Sequence, residues 1–255
     1  MRHRKNGVLV EKHRAKVYSI SSAFYKSEKY RDSQSNTKKE KTMKKRILCF
    51  GDSNTWGYNG ETRQRFDDDV RWTGQLQKKL GDDYVIIEEG LNGRTTVWYD
   101  PVEHVMSGID YLWPCMKSHN PIDLVIINLG CNDCKPLFSA NPWSIGVGMQ
   151  RLVDMAMSAP FGRDGKPPKV LLMSPIHFGE NILKCDYMLT IFGKECIEKS
   201  KALAGYYKQV AEESGCFYMD AASLAHTGVD GVHMDITCHE PYAEAMKEAI
   251  IRILG

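Results

Sequence analysis

The sequence has no apolar run approaching the roughly 18 to 20 residues of a membrane span, and its first residues lack the apolar core of a secretory signal. Both absences make a cytoplasmic protein, with no membrane partner, the default expectation. Cysteine is sparse: eight residues, at 49, 115, 131, 134, 185, 196, 216 and 238, form no dense framework of the kind that staples small secreted domains. They read as reduced thiols. Ten prolines and 21 glycines without a period exclude a collagen or a low-complexity chain. What is present is ordinary for a globular protein: of 255 residues, 42% are hydrophobic, 26% charged and 10% aromatic, enough for one α/β domain or at most two small ones.

The formal net charge of +2 averages two unlike parts. Residues 1–42 carry 12 Lys and Arg against 4 Asp and Glu, a net of +8, and the remaining 213 residues carry 22 against 28, a net of −6. The basic charge sits in a polar tail and not on a folded face, so no nucleic-acid partner is expected. Residues 1–42 are expected to be disordered or loosely helical, an extension preceding a domain over 43–255. The Lys39-Glu40 pair shortly before Met43 suits a translated ribosome-binding site, which makes Met43 the expected natural start; a genuine solvated tail is the other reading.

From Met43 onward short apolar runs alternate with longer amphipathic ones, as parallel strands joined by crossover helices require. Five strands are predicted, at Arg46–Phe50, Tyr84–Glu88, Leu124–Leu129, Val170–Ser174 and Cys216–Met219, each nearly continuous in apolar character as strands covered on both faces should be. Helices are predicted near 71–80, 105–119, 143–158, 195–214 and 239–253, with Pro114 kinking or ending the second. Gly162–Pro168 reads as a surface loop, and segment 177–194 as a cover over the functional crevice.

Polar punctuation follows the strand ends. Gly51-Asp52-Ser53, Asn92-Gly93-Arg94, Gly130-Cys131-Asn132-Asp133 and Asp220 all fall where open parallel sheets bind ligands. Ser53 would present a hydroxyl and its own amide there; His233, three residues after Asp230, is the side chain suited to take a proton from such a hydroxyl, with the carboxylate fixing its tautomer. Gly93 offers a backbone amide and Asn132 a side-chain amide to an oxyanion. Taken singly, each has a structural reading: a helix cap, a solvated loop, a turn glycine, a turn asparagine.

Together, in this order, the four elements resemble the sequence blocks of the GDSL/SGNH hydrolase superfamily. The resemblance covers residues 43–255 and implies a three-layer α/β/α sandwich with a five-stranded parallel flavodoxin-like sheet. It also implies Ser53, Asp230 and His233 as a catalytic triad and Ser53, Gly93 and Asn132 as the oxyanion hole. Trp56-Gly57-Tyr58, Val70-Arg71-Trp72-Thr73-Gly74, Glu88-Glu89-Gly90-Leu91-Asn92 and Asp123 to Ile127 look like the bacterial arylesterase and acyltransferase branch, which implies cleavage of small acyl esters, transfer to acceptors other than water, and a homo-oligomer. Asn54 departs from the leucine usual after the serine. The same scaffold also serves carbohydrate acetyl esterases, of the kind that act on acetylxylan, and a noncatalytic binding module is the third class considered.

Around this site, Trp56, Tyr58, Trp98 and Phe192 are candidates to wall an apolar acyl or aryl pocket, each with core packing as the alternative. Asp52 and Asn54 flank the nucleophile as further substrate-binding candidates. Arg94 has two readings, a contact to an anionic substrate group or an ion pair with Glu89 or Asp100. Cys131-Asn132-Asp133-Cys134 has redox or zinc spacing but no second cysteine pair, and the remaining histidines show no ligand spacing, so neither a metal nor a cofactor is expected.

Overall fold

Alternation within the strands decides which residues face which layer. The structure, a computed structural model, describes residues 43–105 and 107–255, and the expectation for 1–42 lies outside the described residues. Five strands form one parallel sheet in the order β2-β1-β3-β4-β5: β1 Lys45–Gly51, β2 Tyr84–Gly90, β3 Leu124–Asn128, β4 Lys169–Ser174 and β5 Phe217–Asp220. Leu48, Phe50, Val125, Ile127, Val170 and Leu172 point into one core layer; Ile47, Cys49, Leu124, Ile126, Leu171 and Met173 point into the other. Because both faces are covered, alternation disappears from the sequence and leaves the continuous apolar runs.

Helices α3 (Gly108–His119), α4 (Pro142–Ser158) and α6 (Cys196–Ser214) close the first layer, and α2 (Trp72–Leu80) with α7 (His239–Leu254) closes the second. This is the three-layer α/β/α sandwich expected. Two short helices were not expected as such: α1 (Ser53–Trp56), a single turn after β1, and α5 (Asp186–Phe192), inside segment 177–194. Pro114 does not end α3, which runs five residues further. The proline is exposed, so water can take the carbonyl its missing N–H frees. All eight cysteines are free thiols; Cys49, Cys131, Cys134 and Cys196 are buried within the two layers, and burial pushes each of these four thiols up. No described helix is long and apolar enough to cross a membrane.

In the order 2-1-3-4-5 the chain turns back between β1 and β3, and a crevice opens outside their carboxyl ends. Gly51-Asp52-Ser53 leaves β1 there and Gly130 to Asp133 leaves β3 there.

His239 joins the helices of the second layer: its Nδ1 accepts the Trp72 N–H at 3.1 Å, and Phe66 packs against the ring edge-on with centroids 4.9 Å apart. Burial pushes this imidazole down to about 4 from 6.5, only partly opposed by the Asp235 charge. Between those values the unfolded chain binds the proton and the folded one does not. The contribution is therefore present above pH 6.5 and lost as pH falls to 4, about 3 kcal/mol in all. His239→Asn keeps an acceptor but does not titrate. We expect it to flatten the fall of melting temperature across that pH window relative to wild type, as measured by thermal melts at fixed ionic strength.

Candidate active site

Ser53 is the first residue of α1, and the chain reaches it by a close approach. A β-carbon at Gly51 would lie 2.0 Å from Thr55 Oγ1 and 2.9 Å from the Asn128 carbonyl, so glycine is required by contact and not by a left-handed backbone. Asp52 caps the turn, its Oδ1 accepting the Asn54 N–H at 2.9 Å. Burial raises the Asp52 carboxyl to about 6, against the Asn54 amide and the charges of His233 and Arg94. The Trp72 indole N–H donates to the Asn54 carbonyl at 2.9 Å and fixes the turn from the α2 side.

His233 reaches this turn from 180 residues away in sequence: its Nε2 lies 3.0 Å from Ser53 Oγ, and its Nδ1 lies 2.6 Å from Asp230 Oδ2. A carboxylate at Nδ1 holds the hydrogen there and leaves the Nε2 lone pair to accept from the serine hydroxyl. Asp230 Oδ1 accepts the N–H groups of Val232 and His233, both at 2.9 Å. Burial alone would raise the Asp230 carboxyl. The hydrogen bond and charge of His233 and the two amides outweigh it and hold the group below its ordinary range. Tyr58 lies against the imidazole, ring centroids 4.1 Å apart.

Asn132 begins a 3₁₀ turn after β3 and donates through Nδ2 to the Arg94 carbonyl at 3.1 Å. Its amide has a second hydrogen, free for another acceptor. Gly93 has φ of +79°, a left-handed backbone that a side chain would strain. Asp133 ties the two loops together by accepting the Thr96 N–H at 2.9 Å and the Thr96 hydroxyl at 2.5 Å. Burial pushes it up to about 6 against those bonds.

Ser53, Gly93, Asn132 and His233 all line one cleft of about 100 Å³. Met188, Ile191 and Phe192 of α5, with Val232, supply its apolar side, so segment 177–194 does border the crevice. Asn92, Glu103, Tyr58 and Tyr187 supply polar groups. A larger open groove of about 680 Å³ beside Pro142, Leu183 and Ile197 contains none of these four groups.

Of the substrate-binding candidates, Tyr58 and Phe192 line the cleft; Asp52, Asn54, Trp56, Arg94 and Trp98 do not. Asp52 is occupied as the cap. Trp56 lies under the Arg65 guanidinium at 5.3 Å, and Trp98 packs toward Phe138 with centroids 6.3 Å apart. Arg94 forms no salt bridge with Glu89 or Asp100 among the described residues, though the Glu89 charge acts on it. It is 2% exposed, its guanidinium lies 4.2 Å from the Phe50 ring centroid, and its Nη1 donates to the backbone carbonyls of Gly51 and Glu89 at 3.0 and 2.5 Å. Asp100 pairs with Lys135 instead. Asp133, Glu103 and Lys135 had no assigned part; only Asp133 carried a signal, its place in Gly-x-Asn-Asp.

A sequence profile of the GDSL-like lipase/acylhydrolase family matches residues 49–237. The chain belongs to that family. Among solved structures, this GDSL hydrolase is similar to an aryl esterase from M. smegmatis, with 39% identity, a TM-score of 0.76, and 82% of this chain matched to 100% of that one. It is also similar to a carbohydrate acetylesterase from Sinorhizobium meliloti, with 36% identity, a TM-score of 0.76, and again 82% and 100% of the two chains. An acetylxylan esterase from Xylanibacter ruminicola is 28% identical over 147 residues, 51% of this chain but 28% of that protein. The chain thus matches little more than a quarter of that curated relative's length.

Asn54 has a task that leucine could not perform: its Oδ1 accepts the Met234 N–H at 2.8 Å, joining the serine turn to the histidine loop. Asn54→Leu leaves that buried donor unpaired. We expect a loss of about 1 to 3 kcal/mol in chemical denaturation and about a tenfold lower kcat on an aryl acetate, as the two loops lose register.

Proposed function

We propose that this GDSL hydrolase is a serine esterase for small acyl esters that works through an acyl-enzyme. The carrying observation is the relay Asp230–His233–Ser53, at 2.6 and 3.0 Å, opening into a cleft that also holds Gly93 and Asn132. Ser53 Oγ attacks the ester carbonyl while His233 Nε2 takes its proton, and Asp230 supports the resulting imidazolium. The carbonyl oxygen becomes an oxyanion held by the amides of Ser53 and Gly93 and by the free Nδ2 hydrogen of Asn132. Collapse expels the alcohol, which takes the proton from His233. Water, activated by the same imidazole, then releases the acid and frees Ser53. An alcohol or a peroxide that outcompetes water receives the acyl group instead.

A volume of about 100 Å³ holds only a few heavy atoms, which favours acetyl and other short acyl groups. Both aryl and carbohydrate acetates fit that requirement, and the similarity to the S. meliloti carbohydrate acetylesterase keeps the second reading beside the first. Turnover on 4-nitrophenyl acetate compared with acetylated xylooligosaccharides separates them: the aryl reading expects the higher kcat/KM on the first, the carbohydrate reading the reverse. Ser53→Ala and His233→Ala should each lower steady-state esterase turnover by several orders of magnitude, and Asn132→Ala by roughly a hundredfold or more. Full activity in Ser53→Ala would overturn the mechanism, and failure of an organophosphate to label Ser53 would favour a binding module.

A further inference from the structure

We propose that Glu103 gives the cleft a charge preference: esters bearing an anionic group on the Asn92–Gly93 side are refused, and neutral or cationic ones are accepted. The inference rests on the esterase reading and specifies its substrate class.

Lys135 is a buried cation, its side chain 4% exposed, and its ammonium donates to Asp100 Oδ2 at 2.9 Å and to Glu103 Oε1 at 2.7 Å. Asp100 Oδ1 accepts the N–H groups of Val102 and Glu103 at 2.9 and 3.1 Å. Three of the four carboxylate oxygens in this cluster are therefore committed. The fourth, Glu103 Oε2, has no protein hydrogen-bond partner among the described residues, and a β-carbon built on Gly93 would lie only 2.2 Å from it. The uncommitted oxygen thus lies against Gly93, the glycine to which the esterase reading gives an oxyanion-hole amide.

Two carboxylates against one ammonium leave the cluster with a net charge of −1. Glu103 also lines that cleft, and no other residue lining it carries a full charge at neutral pH when His233 is neutral. Arg63 packs over the Tyr187 ring at 5.2 Å without lining the cleft itself. Lys135 holds Glu103 by its other oxygen, while the Glu103 side chain stays 38% exposed and partly open to solvent. A fixed charge at short range in a cleft of about 100 Å³ is felt more strongly than a mobile surface one. A substrate carboxylate at this position meets repulsion, and a hydroxyl or ammonium meets a free acceptor.

The test uses two substrate pairs that are nearly isosteric and differ in charge. 4-Nitrophenyl succinamate against 4-nitrophenyl hemisuccinate varies charge on the acyl half; 3-carbamoylphenyl acetate against 3-carboxyphenyl acetate varies it on the alcohol half. Wild type is expected to favour the neutral member of at least one pair by about tenfold or more in kcat/KM. Glu103→Gln should reduce that preference to within about threefold, and Glu103→Ala, which removes the carboxylate with its volume, should do the same if the first variant does not fold. Equal treatment of both members by wild type, or a preference that survives both substitutions, overturns the assignment. Organophosphate labelling of Ser53 is run alongside. Labelling with unmoved ratios removes the role of Glu103 alone, whereas wild type that is neither labelled nor active on any of the four esters removes the esterase reading and this inference with it.

Discussion

The parallel pairing of β1 with β3 is the constraint from which the rest follows. Adjacent parallel strands end at the same sheet edge, so the loop bearing Ser53 and the loop bearing Asn132 begin side by side whatever their own sequences prefer. β2 flanks β1 on the other side and delivers Gly93 to the same edge. Only the histidine must be brought from elsewhere, and the loop after β5 does so just before α7 closes the second layer. The sheet settles the neighbourhood, and hydrogen bonds between loops settle the ångströms: Asn54 to Met234, Asn132 to Arg94, Asp133 to Thr96.

Those tie points are made by polar side chains that are themselves buried. Asp52 and Asp133 are both buried near the site, and each is raised to about 6 because burial outweighs the amides and hydroxyl that bond it. Such groups cost stability, and they are held where an apolar substitute would leave the Asn54 N–H, or the Thr96 N–H and hydroxyl, unpaired. Asp230 goes the other way, since its partner gains charge when it gains a proton. Three buried carboxylates around the site thus differ in behaviour because they differ in what donates to them.

Much of this was legible in the sequence, for definite reasons. Strands covered on both faces leave continuous apolar runs, and strand ends at a ligand-binding edge leave Gly, Asp, Asn and Ser, so the five strands and the four polar blocks could be read directly. Long-range partnership could not. Arg94 follows Gly93 in the chain, yet its side chain goes into the layer beneath, where Phe50 and two backbone carbonyls receive it. Nothing in its neighbours' identities encodes carbonyls contributed by β1 and β2. α5 escaped notice because it has only seven residues and its N-terminal neighbour Cys185 offers no side-chain cap. Nothing in the residues beside Glu103 points to Lys135, which binds it from 32 positions away. Asn54 looked like a lapse from a pattern and is a strut.

The thiols described with the fold have a use that no catalytic consideration suggests. Cys49 lies in the layer closed by α2 and α7, and Cys134 and Cys196 lie in the layer closed by α3, α4 and α6. Shielded and held protonated, they meet an alkylating reagent only when their own layer lifts from the sheet. The molecule therefore carries two sets of internal reporters, one for each side, and the order in which they are capped under mild denaturant records which side of the sandwich breathes first.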